Sequence, residues 1–288
     1  MKDIPVSPRI ALLKRNRKVM RLRLFILLTV LFAVFVGAIS YFSSHPKIVI
    51  NKIIITGNSI IDTEKLESSI NIKLAGKYLG LFSRSNFLIY PHDKIYNNLI
   101  LEFPRIESLS IKQEGFNTLR LTIKERLGSY LYCGLKVPEE KQDIGENCYF
   151  VNNDGYIFDK APYFSGDVYF KFYTNIKGNY PNPLGSQMLD SVRFHELARF
   201  IDGVATLGFK GAYLVVEDNG THILYLEKAG NISNPKIIFK KENDIGIIYD
   251  NLATAMKERE FANEINSKYD TLLYIDLRFN NKVLYKFN

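Results

Sequence analysis

The chain has 288 residues, with 38 Lys and Arg against 30 Asp and Glu, and a formal net charge of +8 at pH 7. Almost all of this charge lies before residue 24, where one acid, Asp3, stands among the basic residues Lys2, Arg9, Lys14, Arg15, Arg17, Lys18, Arg21 and Arg23. The rest of the chain is close to neutral, so the basic balance does not indicate a nucleic-acid-binding protein.

An uncharged run from residue 24 to residue 44 reads LFILLTVLFAVFVGAISYFSS. About 20 apolar residues in a helix cross the ~30 Å hydrocarbon layer of a bilayer, and a lone span must be helical to satisfy its own backbone groups. We therefore predict a transmembrane helix over 24–44. The positive-inside rule places residues 1–23 in the cytoplasm and the C-terminal part outside, and the basic tail is expected to attract anionic membrane lipid.

A cleaved signal peptide is the alternative for this segment, because Ala38-Ile39-Ser40 has the small-x-small pattern of a cleavage site. The apolar region of a signal peptide spans about 7–15 residues, which is shorter than the run found here. The uncleaved anchor is therefore the favoured interpretation.

The first element after the anchor is a strand, indicated by the dense β-branched residues of Lys47–Thr56. Gly57-Asn58 is typical of a turn. A helix follows, with Asp62 placed to cap its start and Gly76 placed to stop it. Its apolar face consists of Leu66, Ile70 and Leu74.

The next residues, 77–89, predict a loop. A second helix begins at Pro91, where a first helical turn tolerates proline, and ends before Pro104. Two strands joined by a hairpin at 114–117 complete the segment. Residues 47–126 thus form a β-α-α-β-β domain, in which two helices cover one face of a three-stranded sheet.

The remaining residues, 127–288, predict a β-rich domain with two helices, which makes the fold class α+β. The helices are Ser191–Gly203, with Gly203 as a C-cap, and Ile247–Asn263. The strands are predicted at residues 148–151, 156–158, 168–173, 213–217, 222–227, 236–240, 272–278 and 282–287.

The chain has 2 cysteines, Cys133 and Cys148, both C-terminal to the anchor. In an oxidising compartment they could close a loop of about 15 residues, worth up to ~3 kcal/mol in the chain-entropy model. Two free, buried thiols are the alternative, and the compartment favours the disulfide.

No catalytic motif is recognisable in the sequence. His195-Glu196 lacks the second histidine of a zinc-protease helix, and neither a nucleophile elbow nor a P-loop is present. Asn152-Asn153-Asp154-Gly155 is typical of a hairpin turn, since the distal glutamate of a calcium loop is missing. We therefore expect no enzyme activity, cofactor or metal site.

The two last strands are the best candidates for binding. A strand near a chain end is often at a sheet edge, where unpaired backbone groups accept a partner strand. Alternation along Leu272–Arg278 places Ile275, Leu277 and Phe279 on one face. An inner strand, or an edge protected by its lysines Lys282 and Lys286, is the alternative.

Three sequence blocks resemble the FtsQ (DivIB) family of bacterial cell-division proteins. They are IIITGN with FPRIESLSIKQEGFNTLRLTIKER, then CYFVNNDGYIFD, then YIDLRF at Tyr274–Phe279. The family has a POTRA domain of β-α-α-β-β order after its anchor, closing on a V-x-E-R pattern that is matched by Ile123–Arg126. A β domain follows, so the resemblance implies a POTRA-like domain at 47–126 and an FtsQ-type β domain at 127–288.

The resemblance implies a non-enzymatic bitopic divisome scaffold in the cytoplasmic membrane at the division septum. It would bind FtsB/DivIC-like and FtsL-like proteins, and other divisome proteins through the POTRA unit, but no nucleic acid. Partner contacts would come from the helix region Asp250–Asn263 and from Tyr274, Asp276, Leu277, Arg278, Phe279, Val283, Leu284 and Tyr285.

The expected binding mode is β-augmentation by Leu272–Phe287, so that proline at Arg278 or Leu284 would weaken binding. Two other classes remain open. One is a POTRA-bearing envelope assembly or export factor, and the other is a membrane-anchored cell-wall enzyme with an unrecognised site.

Overall fold

The computed structural model describes residues 8–138, 147–164, 168–176, 182–227, 235–279 and 281–288, with side chains from residue 17 onward. The chain divides into two compact units. The first unit is Met1–Ile100 with Ser108–Lys124, and the second unit is Leu101–Glu107 with Glu125–Asn288.

Helix α1, Pro8–Ser43, is 36 residues long, which corresponds to roughly 54 Å at 1.5 Å per residue. Its segment Arg17–Ser43 is long and apolar enough to cross a membrane. The large apolar side chains of this segment are exposed along its length, as expected of a helix whose surroundings are lipid. The helix begins well before the predicted residue 24, because the basic tail is itself rich in Leu, Lys and Arg, which are good helix formers.

The first unit contains a three-stranded sheet in the order β1-β5-β4, with β1 parallel to β5. Its strands are β1 Lys52–Thr56, β4 Ile106–Glu114 and β5 Thr118–Glu125. The first strand is shorter than the predicted Lys47–Thr56, because Pro46–Ile48 form a 3₁₀ turn directly after α1.

Two helices accompany this sheet, α2 Thr63–Leu74 and α3 His92–Glu102. The Asp62 side chain caps α2 by accepting a hydrogen bond from the backbone N–H of Glu64, as predicted. The helices contact each other where Asn98 donates to the Ser69 hydroxyl at 2.8 Å. The buried side chains of helices and sheet are Leu66, Ile70, Leu74, Ile95, Leu99, Ile106, Leu109, Leu119, Leu121 and Ile123.

A short hairpin lies between the two helices, where the sequence predicted a loop. It pairs β2 Lys77–Tyr78 with β3 Phe82–Ser83 in antiparallel register. The prediction was wrong because two-residue strands are too short to show alternation. The hairpin contacts the end of α1.

The second unit is built on a nine-stranded sheet in the order β14-β13-β12-β11-β10-β9-β6-β7-β8. Its strands are β6 Tyr130–Tyr132, β7 Tyr149–Val151, β8 Ile157–Lys160, β9 Phe170–Thr174, β10 Gly211–Val216, β11 Thr221–Leu226, β12 Lys236–Lys240, β13 Leu272–Asp276 and β14 Leu284–Phe287. The sequence missed β6, because three residues are too few to show alternation.

Three helices, rather than the predicted two, pack their apolar faces on this sheet: α4 Ser191–Thr206, α5 Ile245–Lys257 and α6 Arg259–Ser267. The predicted helix Ile247–Asn263 is interrupted at Glu258, whose backbone is extended. Glutamate is a good helix former, so residue preferences did not reveal the break.

Gly203 does not cap α4 as predicted, because the helix continues to Thr206. A Cβ at this position would lie 2.7 Å from Cε2 of Tyr249 on α5. Glycine therefore allows the two helices to approach closely, and Gly208, with a φ of +94°, provides the left-handed residue after the helix.

Cys133 and Cys148 form a disulfide, the alternative that the compartment favoured. It joins the end of β6 to the start of the antiparallel strand β7. Cys148 is buried in a small cluster with Leu131 and Ala161. Most of the loop that the disulfide closes, residues 139–146, lies outside the described residues.

Candidate partner-binding edge

The two strands predicted to bind a partner differ in their position in the sheet. Strand β13 is an inner strand, parallel to β12 on one side and antiparallel to β14 on the other. The expectation that Leu272–Arg278 lies at an edge is therefore wrong. The last strand of the chain, β14, is the edge, and in the part of the chain that the structure describes no strand lies beyond it.

The opposite edge of the same sheet is treated differently. The backbone N–H of Ile157 in β8 donates to the carbonyl of Ser186, and the carbonyl of Ile157 accepts from the N–H of Gly185. A loop of the chain itself thus satisfies the outer groups of Ile157, the first residue of β8, and covering an edge with a loop is a common way of protecting it. Among the described residues, β14 has no such cover.

The backbone groups of β14 alternate between the sheet and the open side. The N–H of Asn288 donates to the carbonyl of Thr271, just before β13. In an antiparallel pair the N–H and C=O of one residue point to the same side, and this side alternates along the strand. The backbone N–H and C=O of Leu284 and Lys286 therefore face β13, whereas those of Tyr285 and Phe287 face the open side.

A partner strand could hydrogen-bond to the groups of Tyr285 and Phe287 without disturbing the β13–β14 pairing. This edge was not visible in the sequence, because alternation of residue types does not report which backbone groups are already paired. It follows from the strand order alone.

The predicted site residues divide into buried and exposed groups. Leu277 is buried in the main core cluster, so it cannot offer the partner-facing knob or pocket that was expected of it. Val283 packs against the same cluster, and Tyr274 is half-buried opposite Lys286. The exposed members are Arg278, Phe279, Leu284 and Tyr285.

Asp276 and Arg278 form an ion pair at the end of β13. The Arg278 side chain donates from Nε to both carboxylate oxygens, at 2.9 and 3.1 Å, and from Nη2 at 2.6 Å. The backbone N–H of Arg278 adds a further hydrogen bond to Oδ1 at 3.0 Å. Burial raises the pKa of Asp276, but the hydrogen bonds from Arg278 outweigh it, so the net pKa is lowered.

This ion pair has a structural role. Asp276 is only 4% exposed, and burial of its charged carboxylate without a partner would cost free energy of folding. The exposed part of Arg278 remains available at the surface. The Asp-x-Arg pattern of the sequence block therefore fixes the turn after β13, which leads into β14.

The helix beside the edge is α6, and the sequence predicted only its first part, as the end of a longer helix that stopped at Asn263. The Tyr285 hydroxyl donates to the Glu264 carboxylate at 2.8 Å, and the Tyr285 ring meets the Phe261 ring edge-on at 5.1 Å. Hydrogen bonds from Lys268 and from Tyr285 lower the pKa of Glu264, and the bond to Glu264 raises the pKa of Tyr285.

Phe261 lies within the helix region Asp250–Asn263 that the resemblance implied as a source of partner contacts, whereas Glu264, one residue beyond that region, was missed. Phe261 and Ile265 stand four residues apart and form an apolar pair on one helix face. Phe261, Glu264 and Tyr285 together form a surface that is continuous with the open backbone of β14. The tyrosine side chain is held in place, and the backbone beside it is free to pair.

Among the described residues, His, Cys, Asp and Glu form no group of three or more that could hold a metal ion. A comparison with protein-family models finds no match for this chain. A comparison with curated proteins also finds no significant similarity.

Proposed function

We propose that this protein is a membrane-anchored, non-enzymatic scaffold of the bacterial divisome, of the FtsQ (DivIB) type. In this proposal α1 crosses the cytoplasmic membrane with its basic end inside the cell, in accordance with the positive-inside rule. The parts of both compact units that follow α1 lie outside the membrane, at the division septum. The open edge of β14 binds a strand of an FtsB/DivIC-like partner, together with its FtsL-like companion.

One observation carries this proposal: the nine-stranded sheet ends in a short strand, β14, whose outer side is not covered by the described residues. A second chain can therefore extend the sheet by main-chain hydrogen bonds. The exposed side chains of Leu284 and Phe279 supply apolar contacts near the same end. Lys282 and Lys286 add positive charge that favours an acidic partner segment.

The first unit supports the same proposal through its element order. After the membrane helix, β1, α2, α3, β4 and β5 follow in turn, with the β2–β3 hairpin inserted between the helices. This is the order expected of a POTRA-like docking domain, and we assign the first unit to the recruitment of other division proteins. YIDLRF begins in β13, next to the edge strand, and continues past its end at Asp276, which agrees with a role in shaping the binding site.

Localisation of the full-length protein tests the division role. A fluorescent protein fused to the N-terminal tail is expected to form rings at mid-cell when constriction begins, because a divisome scaffold is held there by its partners. A fusion that carries only residues 1–45 serves as the control and is expected to label the envelope evenly. Even labelling by the full-length fusion, indistinguishable from this control, would contradict the division role.

A further inference from the structure

The β2–β3 hairpin and the segment that follows it are fastened to the last turn of α1 by three hydrogen bonds. The Ser40 hydroxyl donates to the carbonyl of Leu81 at 2.7 Å. The N–H of Ser83 donates to the Ser43 hydroxyl at 3.1 Å, and the Asn86 side chain donates to the Ser43 carbonyl at 3.0 Å. The hairpin and the helix end therefore form one structural element within the first unit.

This attachment sets the depth of the hairpin relative to a bilayer. The uncharged run of residues 24–44 ends one residue after α1 and has about the length that a ~30 Å hydrocarbon layer requires. Ser40 lies four residues before its end, or roughly 6 Å along the helix axis. The carbonyl of Leu81, bonded to Ser40, consequently lies at the boundary of the lipid rather than in bulk water.

The hairpin tip and the segment that follows it expose apolar side chains. Leu79 is 91% exposed and Leu88 is 75% exposed, and Leu81 and Ile89 are also exposed. Leu79 has a φ of 51°, a left-handed conformation that glycine or asparagine adopts more easily. A strained leucine that is almost fully exposed does not stabilise the folded unit, but burial of its side chain in lipid would be favourable.

The charges around the tip suit a lipid surface. From Lys73 to His92 the chain contains basic residues but no acid. The Arg84 guanidinium lies over the Tyr78 ring, 5.4 Å from its centroid. Aromatic and basic side chains beside an apolar tip are the combination that binds the interface of a membrane with anionic headgroups.

We propose that this hairpin, with Leu88 and Ile89, inserts into the leaflet at the C-terminal end of α1 and binds anionic lipid. The part of the first unit that follows α1 is then held at the membrane at two points, the helix and the hairpin, which limits its rotation about the anchor. The inference rests on α1 spanning a bilayer and is independent of the division role.

The absence of tryptophan from the natural chain makes the test direct, since the sequence has 0 Trp. Full-length Leu79→Trp protein is reconstituted in vesicles of phosphatidylcholine and phosphatidylglycerol, and its emission is measured with brominated lipid and with acrylamide as quenchers. We expect blue-shifted emission that brominated lipid quenches strongly and acrylamide quenches weakly. Leu88→Trp is expected to behave in the same way.

Ile60→Trp is the matched control in the same unit. Ile60 is 65% exposed and follows the C-terminal end of β1, and roughly 13 Å of strand separates that end from the end nearer the anchor. Its emission is expected to remain water-like and to be quenched by acrylamide. Leu79→Asn in the Leu88→Trp background should reduce lipid quenching while keeping the fold, because asparagine tolerates the left-handed backbone.

Two outcomes would overturn the proposal. One is acrylamide quenching of Leu79→Trp and Leu88→Trp as strong as that of Ile60→Trp. The other is protection of both reporters from acrylamide and from brominated lipid, which would mean that another protein segment covers the tip.

Discussion

Phe194→Ala is expected to lower the free energy of unfolding of the full-length protein by about 3–5 kcal/mol, the range for truncating a buried aromatic side chain. Phe194 is fully buried on α4. Its ring lies 5.3 Å from the Tyr130 ring and 5.4 Å from the Phe172 ring, both on strands of the sheet. Alanine would leave a cavity between helix and sheet that the neighbouring rings can fill only in part.

Val192→Ala on the same helix is the control for this prediction. Val192 is exposed, so its truncation should change the free energy of unfolding by no more than about 0.5 kcal/mol. Urea unfolding of both variants in detergent, with the disulfide intact, measures the difference. Equal losses in the two variants would mean that the α4 face facing the sheet is not the core of the second unit.

Arg278→Ala is expected to lower the free energy of unfolding by about 2–3 kcal/mol near neutral pH, because the buried Asp276 carboxylate loses its charged hydrogen-bond donor. The free energy should depend on pH. In the natural protein the folded-state pKa of Asp276 lies below its unfolded value. The pair therefore contributes stability above the unfolded pKa of about 3.9, and this contribution is lost as the pH falls through the lower folded-state pKa.

In the Arg278→Ala variant burial still raises the pKa of Asp276, while the guanidinium hydrogen bonds and charge that lower it are lost. The backbone N–H of residue 278 remains as a donor, so the pKa of Asp276 should lie higher than in the natural protein. The variant should gain relative stability as the carboxylate is protonated, so the difference between the two proteins should close in acid. Urea unfolding from pH 7 downwards measures this difference, with Lys282→Ala as a control that removes a neighbouring exposed charge. A difference that stays constant with pH would show that the ion pair is not the cause.

Local signals in the sequence predicted much of the secondary structure correctly. Asp62 caps α2 as its type and position indicated. The strands predicted at residues 222–227 and 236–240 correspond to β11 and β12, each of which has one face in the core. Charge and hydropathy alone predicted the long apolar helix at the N-terminus.

The features that the sequence did not reveal depend on distant parts of the chain. Strands β12 and β13 pair in parallel through a crossover that contains α5 and α6, and nothing in Leu272–Arg278 itself shows that another strand lies on its far side. The break at Glu258 and the interior position of Gly203 likewise reflect packing between helices. The candidate edge was therefore predicted in the right region but on the wrong strand.

Because β14 rather than β13 is the edge strand, the proline substitutions suggested by the sequence are not the best test of partner binding. Proline at Arg278 would remove the N–H that donates to Asp276, and proline at Leu284 would remove a group that faces β13. Both would disturb the fold as well as any binding. Tyr285 is the suitable position, because its N–H faces the open side and proline is tolerated on an edge strand when its missing donor faces outward.

Binding of an FtsB-like partner by Tyr285→Pro and Tyr285→Ala proteins tests the central claim most directly. Both substitutions remove the contacts of the tyrosine side chain with Phe261 and Glu264, but only proline removes the outward N–H. If a partner strand pairs with β14, the full-length Tyr285→Pro protein should bind at least about tenfold more weakly than Tyr285→Ala, which corresponds to ~1.4 kcal/mol. Equal affinities of the two variants would contradict strand addition at this edge.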